Sequence, residues 1–459
     1  MAINELPDEV LIEIFDFYMA CPLPPPSHEL EEDAWHTLVH VCRRWRHVVF
    51  GSPRRLNLRL LCRNRRLVKT LDIWPELPIV IHVDGWTICE PPSGTNVISV
   101  LKRHDRVCKI FIDSVPTSLL EELATISEPF PALIELELES YKTDVPILPD
   151  SFLGGSVPRL RSLDLWGIPF PGIGNLLLST RDLVTLSLGD IPPSGYISPE
   201  SMVTILSGLT RLKSLELYHI ETAEFWTHGA SRRPPELTRV VLPALTNLTF
   251  SGDSEYLEDM VSRIDASLES IAMTFFDELV FDIPLLRAFI GHTKILVAPH
   301  RADTSFSNFE LRISLFQRKG EIDFGVLNLE IICDIDSQLS SLARAWSLLL
   351  PPLPSLEHLG IYASADLQSQ WHYEVAITQW MEFLRLFTTV KDLVLDEPAT
   401  LSVSSAMQEL VGERATEFLP ALQTIFLEGF QSSGPFPGGI GEFIAARELS
   451  GRPVIVTYR

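Results

Sequence analysis

The sequence predicts an α/β protein in which a small all-helical head precedes a long solenoid, a parallel sheet with helices on its outer side. Three observations predict it. Apolar residues recur at helical spacing in two stretches before residue 51. From residue 107 a short unit ending in an apolar-x-apolar pair recurs ten times. Hydrophobic residues make up 46% of the 459, enough for a large core, yet no run approaches 18 consecutive apolar residues.

The head begins with Pro7, a favoured first-turn residue, and with Asp8 and Glu9, whose charges suit a helix N-terminus. Val10, Leu11, Ile14, Phe15 and Tyr18 follow at helical spacing, and the helix must end before Pro22. Residues 22–33 read as a proline-rich acidic loop. A second helical stretch carries Trp35, Leu38, Val41, Cys42, Trp45, Val48 and Val49 and stops at Gly51-Ser52-Pro53. Helices this short need something to pack against.

The body repeats P-x-L-x-x-L-x-L with irregularities. Taking the first residue of the terminal pair as a marker gives Ile110, Leu136, Leu163, Leu186, Leu215, Leu248, Ile271, Leu359, Leu393 and Ile425. Their separations are 26, 27, 23, 29, 33, 23, 88, 34 and 32 residues. The spacing matches leucine-rich repeats, in which alternate side chains of a short strand point inward and stacked units bury a continuous core. The gap of 88 leaves room for three more units of about 29 residues, with Ile295, Ile313 and Leu329 as markers. Outer helices are expected at 198–209, 256–264, 338–350, 374–387 and 404–418. Residues 70–83 should supply early strand structure, 440–449 a last helix and 453–457 a last strand, closing the ends of the stack. The domains are expected at 1–60 (head), 61–104 (linker and cap strands) and 105–459 (repeats with a C-terminal cap).

Charge is uneven. The chain carries −23 overall, but residues 1–41 hold nine acids and no Lys or Arg, whereas 42–69 hold ten Lys/Arg and no acid. The acidic remainder argues against nucleic acid as a partner, and the basic run reads as a solvated face that complements an acidic surface. Cys21, Cys42, Cys62, Cys89, Cys108 and Cys333 form no C-x-x-C pair, which predicts reduced thiols in a cytoplasmic or nuclear protein. The first ten residues, with three acids and no base, do not read as a secretory leader, and no membrane attachment is expected.

LPDEVLIEIF (6–15) followed by LVHVCRRWRHVVFGSPR (38–54) resembles the F-box motif, with Leu6, Pro7, Glu9, Leu11, Ile14, Phe15, Leu38, Val41, Cys42, Arg43, Trp45 and Pro53 at matching places. The loop after the first helix is roughly ten residues longer than usual in that family. The layout is similar to fungal F-box proteins with degenerate leucine-rich repeats. The resemblance implies that Leu6, Pro7, Leu11, Ile14, Phe15, Leu38, Val41, Cys42 and Trp45 bind the Skp adaptor and, through it, the cullin of an SCF-type ubiquitin ligase, and that the repeats bind a protein substrate. An interaction scaffold not coupled to degradation is the alternative.

Chemistry is not evident. The chain has no phosphate loop of the G-x-x-x-x-G-K-[ST] type, no H-E-x-x-H and no G-x-S-x-G. His36 and His40 lie four apart but lack a third ligand nearby, and Asp334 and Asp336 read as turn residues. No cofactor, metal or catalytic residue is expected. The residues alternating with the buried leucines should line the face open to substrate: Glu137, Glu139, Asp164, Trp166, Glu216, Tyr218, His358 and Tyr362, then Asp392 and Asp396. The acids suit a segment bearing Lys or Arg, and the aromatics suit anchors.

Overall fold

The computed structural model describes residues 6–20, 34–62, 76–83, 93–220, 239–276, 283–293, 295, 298–350, 353–364, 373–409, 416–430 and 438–458. The proline-rich loop 22–33, the basic residues Arg63, Arg65, Arg66 and Lys69, residues 70–75 of the expected early strand structure, and Cys21 and Cys89 lie outside them. The chain divides into two compact units, residues 1–197 and 198–459.

Unit 1 opens with three helices, α1 (Asp8–Ala20), α2 (Ala34–Val41) and α3 (Arg43–Gly51). The single helical stretch expected over 35–49 is therefore broken. Cys42 adopts an extended conformation (φ −159°, ψ 169°), and its Sγ accepts a hydrogen bond from the Trp45 backbone N–H at 3.5 Å. It thus works as a helix cap rather than as a packed core residue. The helices close over Leu11, Phe15, Trp35, Leu38, Val39, Val48 and Val49. The Phe15 and Trp45 rings stand 4.8 Å apart, and the Trp35 indole N–H donates to the Arg59 carbonyl.

A parallel sheet follows: β1 (Leu60–Cys62), β2 (Ile79–Val83), β3 (Val107–Ile112), β4 (Glu135–Glu139), β5 (Ser162–Trp166) and β6 (Thr185–Gly189), each paired with the next. Helices α4 (Ser93–Leu101), α5 (Thr117–Ala124) and α6 (Ile173–Leu177) lie in the connections. The markers align: Ile110 pairs with Leu136, Leu136 with Leu163, and Leu163 with Leu186. The preceding leucines, Leu133, Leu160 and Leu183, are buried as well. The carbonyl before each strand ties the stack together, since Ile134 O accepts from Arg161 N and Ser162 N, and Arg161 O accepts from Val184 N and Thr185 N.

Unit 2 contains α7 (Pro199–Leu206), β7 (Ser214–Ile220), β8 (Val240–Leu242), β9 (Asn247–Gly252), α8 (Ser254–Ser262), β10 (Ile264–Ala266), β11 (Ser270–Phe276) and α9 (Pro284–His292). These are followed by β12 (Arg301–Phe306), β13 (Glu310–Lys319), β14 (Ile322–Ile332), α10 (Ile335–Arg344) and β15 (His358–Ala363). Last come α11 (Tyr373–Leu384), β16 (Asp392–Asp396), α12 (Glu397–Gln408), β17 (Thr424–Glu428), α13 (Gly438–Leu449) and β18 (Ile455–Tyr458). The main sheet runs β7-β9-β11-β14-β13-β12-β15-β16-β17-β18. Leu215, Leu248 and Ile271 share one register row, as do Leu359, Leu393 and Ile425. Neighbouring helices pack in order, α7 on α8, α8 on α9, then α11 on α12 and α12 on α13.

The gap of 88 residues is filled differently from expectation. Three strands occupy it, but in reverse order, with β13 antiparallel to both neighbours. Ile313 and Leu329 lie in β13 and β14, whereas Ile295 lies on no strand. Here the chain returns by a hairpin turning at Lys319–Ile322 instead of by an outer helix, so the insertion is not three repeat units. The helix expected at 404–418 begins instead at Glu397, directly after β16. Asp396 caps it, accepting from Ala399 N at 2.8 Å, and Pro398 sits in its first turn.

Candidate functional site: a helical head and two sheet faces

Helix α1 has more apolar residues than one buried stripe can use. Leu11 and Phe15 point inward and are fully buried. Val10, Ile14, Phe17 and Tyr18 are exposed, Phe17 at 74%. Their spacing of 4, 7 and 8 residues places them on one face of the helix. Val41 is exposed at the end of α2. Of the residues marked for the adaptor, Pro7, Ile14 and Val41 are thus on the surface, Leu6, Cys42 and Trp45 are half-buried, and Leu11, Phe15 and Leu38 form the interior. Val10, Phe17 and Tyr18 belong with the surface set and were missed. The signal for them was an apolar arc too wide for a single core-facing stripe.

Ion pairs across the head use the charge asymmetry of the sequence. Arg44 reaches back from α3 to the Asp8 carboxylate at 2.6 Å and also donates to the Leu6 carbonyl. Arg55 pairs with Glu13. Two members of the basic run, Arg44 and Arg55, thus meet acids of α1. Both pairs are substantially solvent-exposed, so each adds little stability and mainly sets the angle between helices.

On the sheet of unit 1, the residues alternating with the core leucines form rows on the half-exposed face. Lys109 pairs with Glu135 at 2.7 Å. Glu137 stands in register with Phe111 and Asp164, and Glu139 with Trp166. Burial, then the nearby Asp164 and Glu139, hold the Glu137 carboxyl above its ordinary range. The Tyr141 hydroxyl donates to Glu139 Oε2 at 2.7 Å, which pushes its own pKa up to about 12. Trp166 lies across its neighbour Gly189, where any Cβ would strike the indole. The three acids and one aromatic expected here, Glu137, Glu139, Asp164 and Trp166, are adjacent on β4 and β5.

In unit 2 the expected residues separate. Glu216 and Tyr218 sit together on β7, with the Tyr218 hydroxyl donating to Glu216 at 3.0 Å. His358 and Tyr362 are on β15, six strand spacings away, or roughly 29 Å. His358 instead meets Asp392 on the next strand at 2.9 Å. Between the two patches lie Arg301, Asp303, Arg312 and Glu330, missed because the repeat pattern is absent from β12 and irregular on β13 and β14. Arg301 clamps Asp303 through two hydrogen bonds of 2.9 and 2.7 Å.

Among the described residues, no group of three or more His, Cys, Asp or Glu is placed to hold a metal ion, and no helix is long and apolar enough to cross a membrane. Cys42, Cys62, Cys108 and Cys333 form no disulfide, and burial raises the Cys333 thiol to about 11, so it stays protonated at neutral pH.

A capped three-helix head with surplus apolar surface precedes mostly parallel α/β sheets, which makes this a modular α/β protein. Residues 3–64 match the F-box-like family, and the head is an F-box-like domain on a larger α/β body. A comparison with curated proteins found no match.

Proposed function

We propose that this chain is the substrate-recognition subunit of an SCF-type cullin–RING ubiquitin ligase. The head docks on the Skp adaptor and so on the cullin. The body, read as an irregular leucine-rich-repeat solenoid (105–459) behind a short linker and cap (61–104), holds a protein substrate on its sheet faces. The observation that carries this reading is the coincidence of the F-box-like match with an exposed apolar face on α1. Apolar faces of this kind serve as interfaces. The aligned markers and the packed row of helices support the repeat reading.

The chain supplies no catalytic step in this reading. Holding a substrate beside a charged ubiquitin enzyme raises the effective concentration of its lysines, and proximity gives the rate. The chain works in the cytoplasm, the nucleus or both. Glu137, Glu139, Asp164 and Trp166 form one substrate patch, Glu216 and Tyr218 a second, and His358 and Tyr362 a third. The test is protein turnover in cells lacking the chain. A set of proteins should become longer-lived and lose ubiquitin, and re-expression should restore both. Unchanged ubiquitination of every captured protein would instead favour a scaffold role uncoupled from degradation.

A further inference from the structure

A cavity of about 300 Å³ opens on the half-exposed sheet face of unit 2, at the ends of β12, β15 and β16. Its origin is a mismatch of side-chain length along one register row. Glu330 pairs across with Arg312, Arg312 with Ser305, and Ser305 with Tyr362, while Asp396 pairs with Glu428 farther along. Ser305 is a short residue between two long ones. Tyr362 cannot fill the hollow because its ring folds back over Gly360, where a Cβ would meet the ring at 2.6 Å. The tyrosine thus forms a wall, and the serine leaves a floor.

The charge in the hollow is negative and fixed. Two carboxylates, Glu310 and Asp396, and one guanidinium, Arg312, line it. Arg312 is already engaged by Glu310 at 2.8 Å and Glu330 at 2.7 Å, which leaves little of its charge for a visitor. Asp396 is held rigidly, accepting from Ala363 N and Ala399 N, both at 2.8 Å. Burial, opposed by these two bonds, keeps its carboxyl above the usual range. An arriving cation would offset that penalty. Ser307, from the turn before Glu310, also lines the hollow.

Binding cavities for whole small ligands start near about 300 Å³, so this one suits a single long side chain better than a cofactor. We infer that this hollow receives one lysine or arginine side chain of a bound protein segment, with Asp396 meeting the cationic head and Tyr362 lining the alkyl stem. The inference rests on the reading of the sheet faces as the substrate surface and gives one of them a chemical preference.

The test uses the full-length chain and fluorescent heptapeptides of Gly, Ser and Ala with one central residue: Lys, Arg, citrulline, norleucine or Glu. Fluorescence polarisation should show the Lys or Arg peptide binding at least tenfold more tightly than the other three. Asp396→Asn keeps an oxygen for the helix cap but removes the charge, and should abolish that preference. Ser305→Tyr, which fills the hollow from a half-exposed position, should weaken the basic peptides equally, with thermal unfolding showing that both variants stay folded. Equal binding of all five peptides, preference for Glu, no binding of any at millimolar concentration, or an unaltered preference in Asp396→Asn would overturn the assignment. Adaptor capture by the same preparation is read separately. Capture without basic preference sinks the cavity assignment alone, and basic preference without capture sinks the ligase reading alone.

Discussion

Glu137 stands in register with Phe111 on one side and Asp164 on the other, with Glu139 two residues along its own strand. Its carboxyl is raised mainly by burial and then by those acids. The folded chain therefore holds this proton more tightly than the unfolded chain does. The stability it contributes is full below the ordinary glutamate range and is lost as pH rises through the raised value. At neutral pH the carboxylate works against the fold. Glu137→Gln should raise the thermal midpoint at pH 7, and the difference from the parent should close as pH falls below about 4. A difference independent of pH would mean that the carboxylate is not strained. The polar identity of this row was legible from alternation with the leucines. Its strain was not, because the opposing acids come from strands 27 residues apart in sequence.

Helix α1 shows what a pattern can and cannot decide at the scale of an element. Apolar spacing located the helix, but with apolar residues on two arcs it did not say which arc faces inward. The structure buries Leu11 and Phe15 and exposes Val10, Ile14, Phe17 and Tyr18. The two sets should fail differently. Phe15→Ala removes a buried ring and should cost about 3–5 kcal/mol, lowering the unfolding midpoint of the head. Phe17→Asp should leave the melt and circular dichroism spectrum within error of the parent and weaken adaptor binding. Equal melts for both would place Phe15 outside the core. The hairpin β13–β14 tells a similar story. Its strands alternate well, but β12 points Ala302 and Thr304 inward where repeat strands point leucine, so the L-x-L signal vanishes. The break at Cys42 was hidden because the apolar spacing continues across it, and only the cap geometry reveals it.

Across the whole molecule, each unit builds a mostly parallel sheet whose leucine face is buried and whose other face is half-exposed and polar. The parallel pairing and its register were legible because the marker residues must bury the same face of neighbouring strands, and that need recurs in the sequence. The reversed order of β12–β14 was not, since side chains alternate in the same way along a parallel and an antiparallel strand. The molecule's strong negative charge fits partners with basic segments. The proposed function turns on the head joining this body to a ligase scaffold. Its most direct test is calorimetric titration of the purified full-length chain with purified Skp adaptor, beside the double variant Ile14→Asp, Phe17→Asp. One adaptor should bind per chain, with at least a hundredfold loss of affinity in the folded double variant. No heat of binding with the parent, or equal affinity for both proteins, would contradict it.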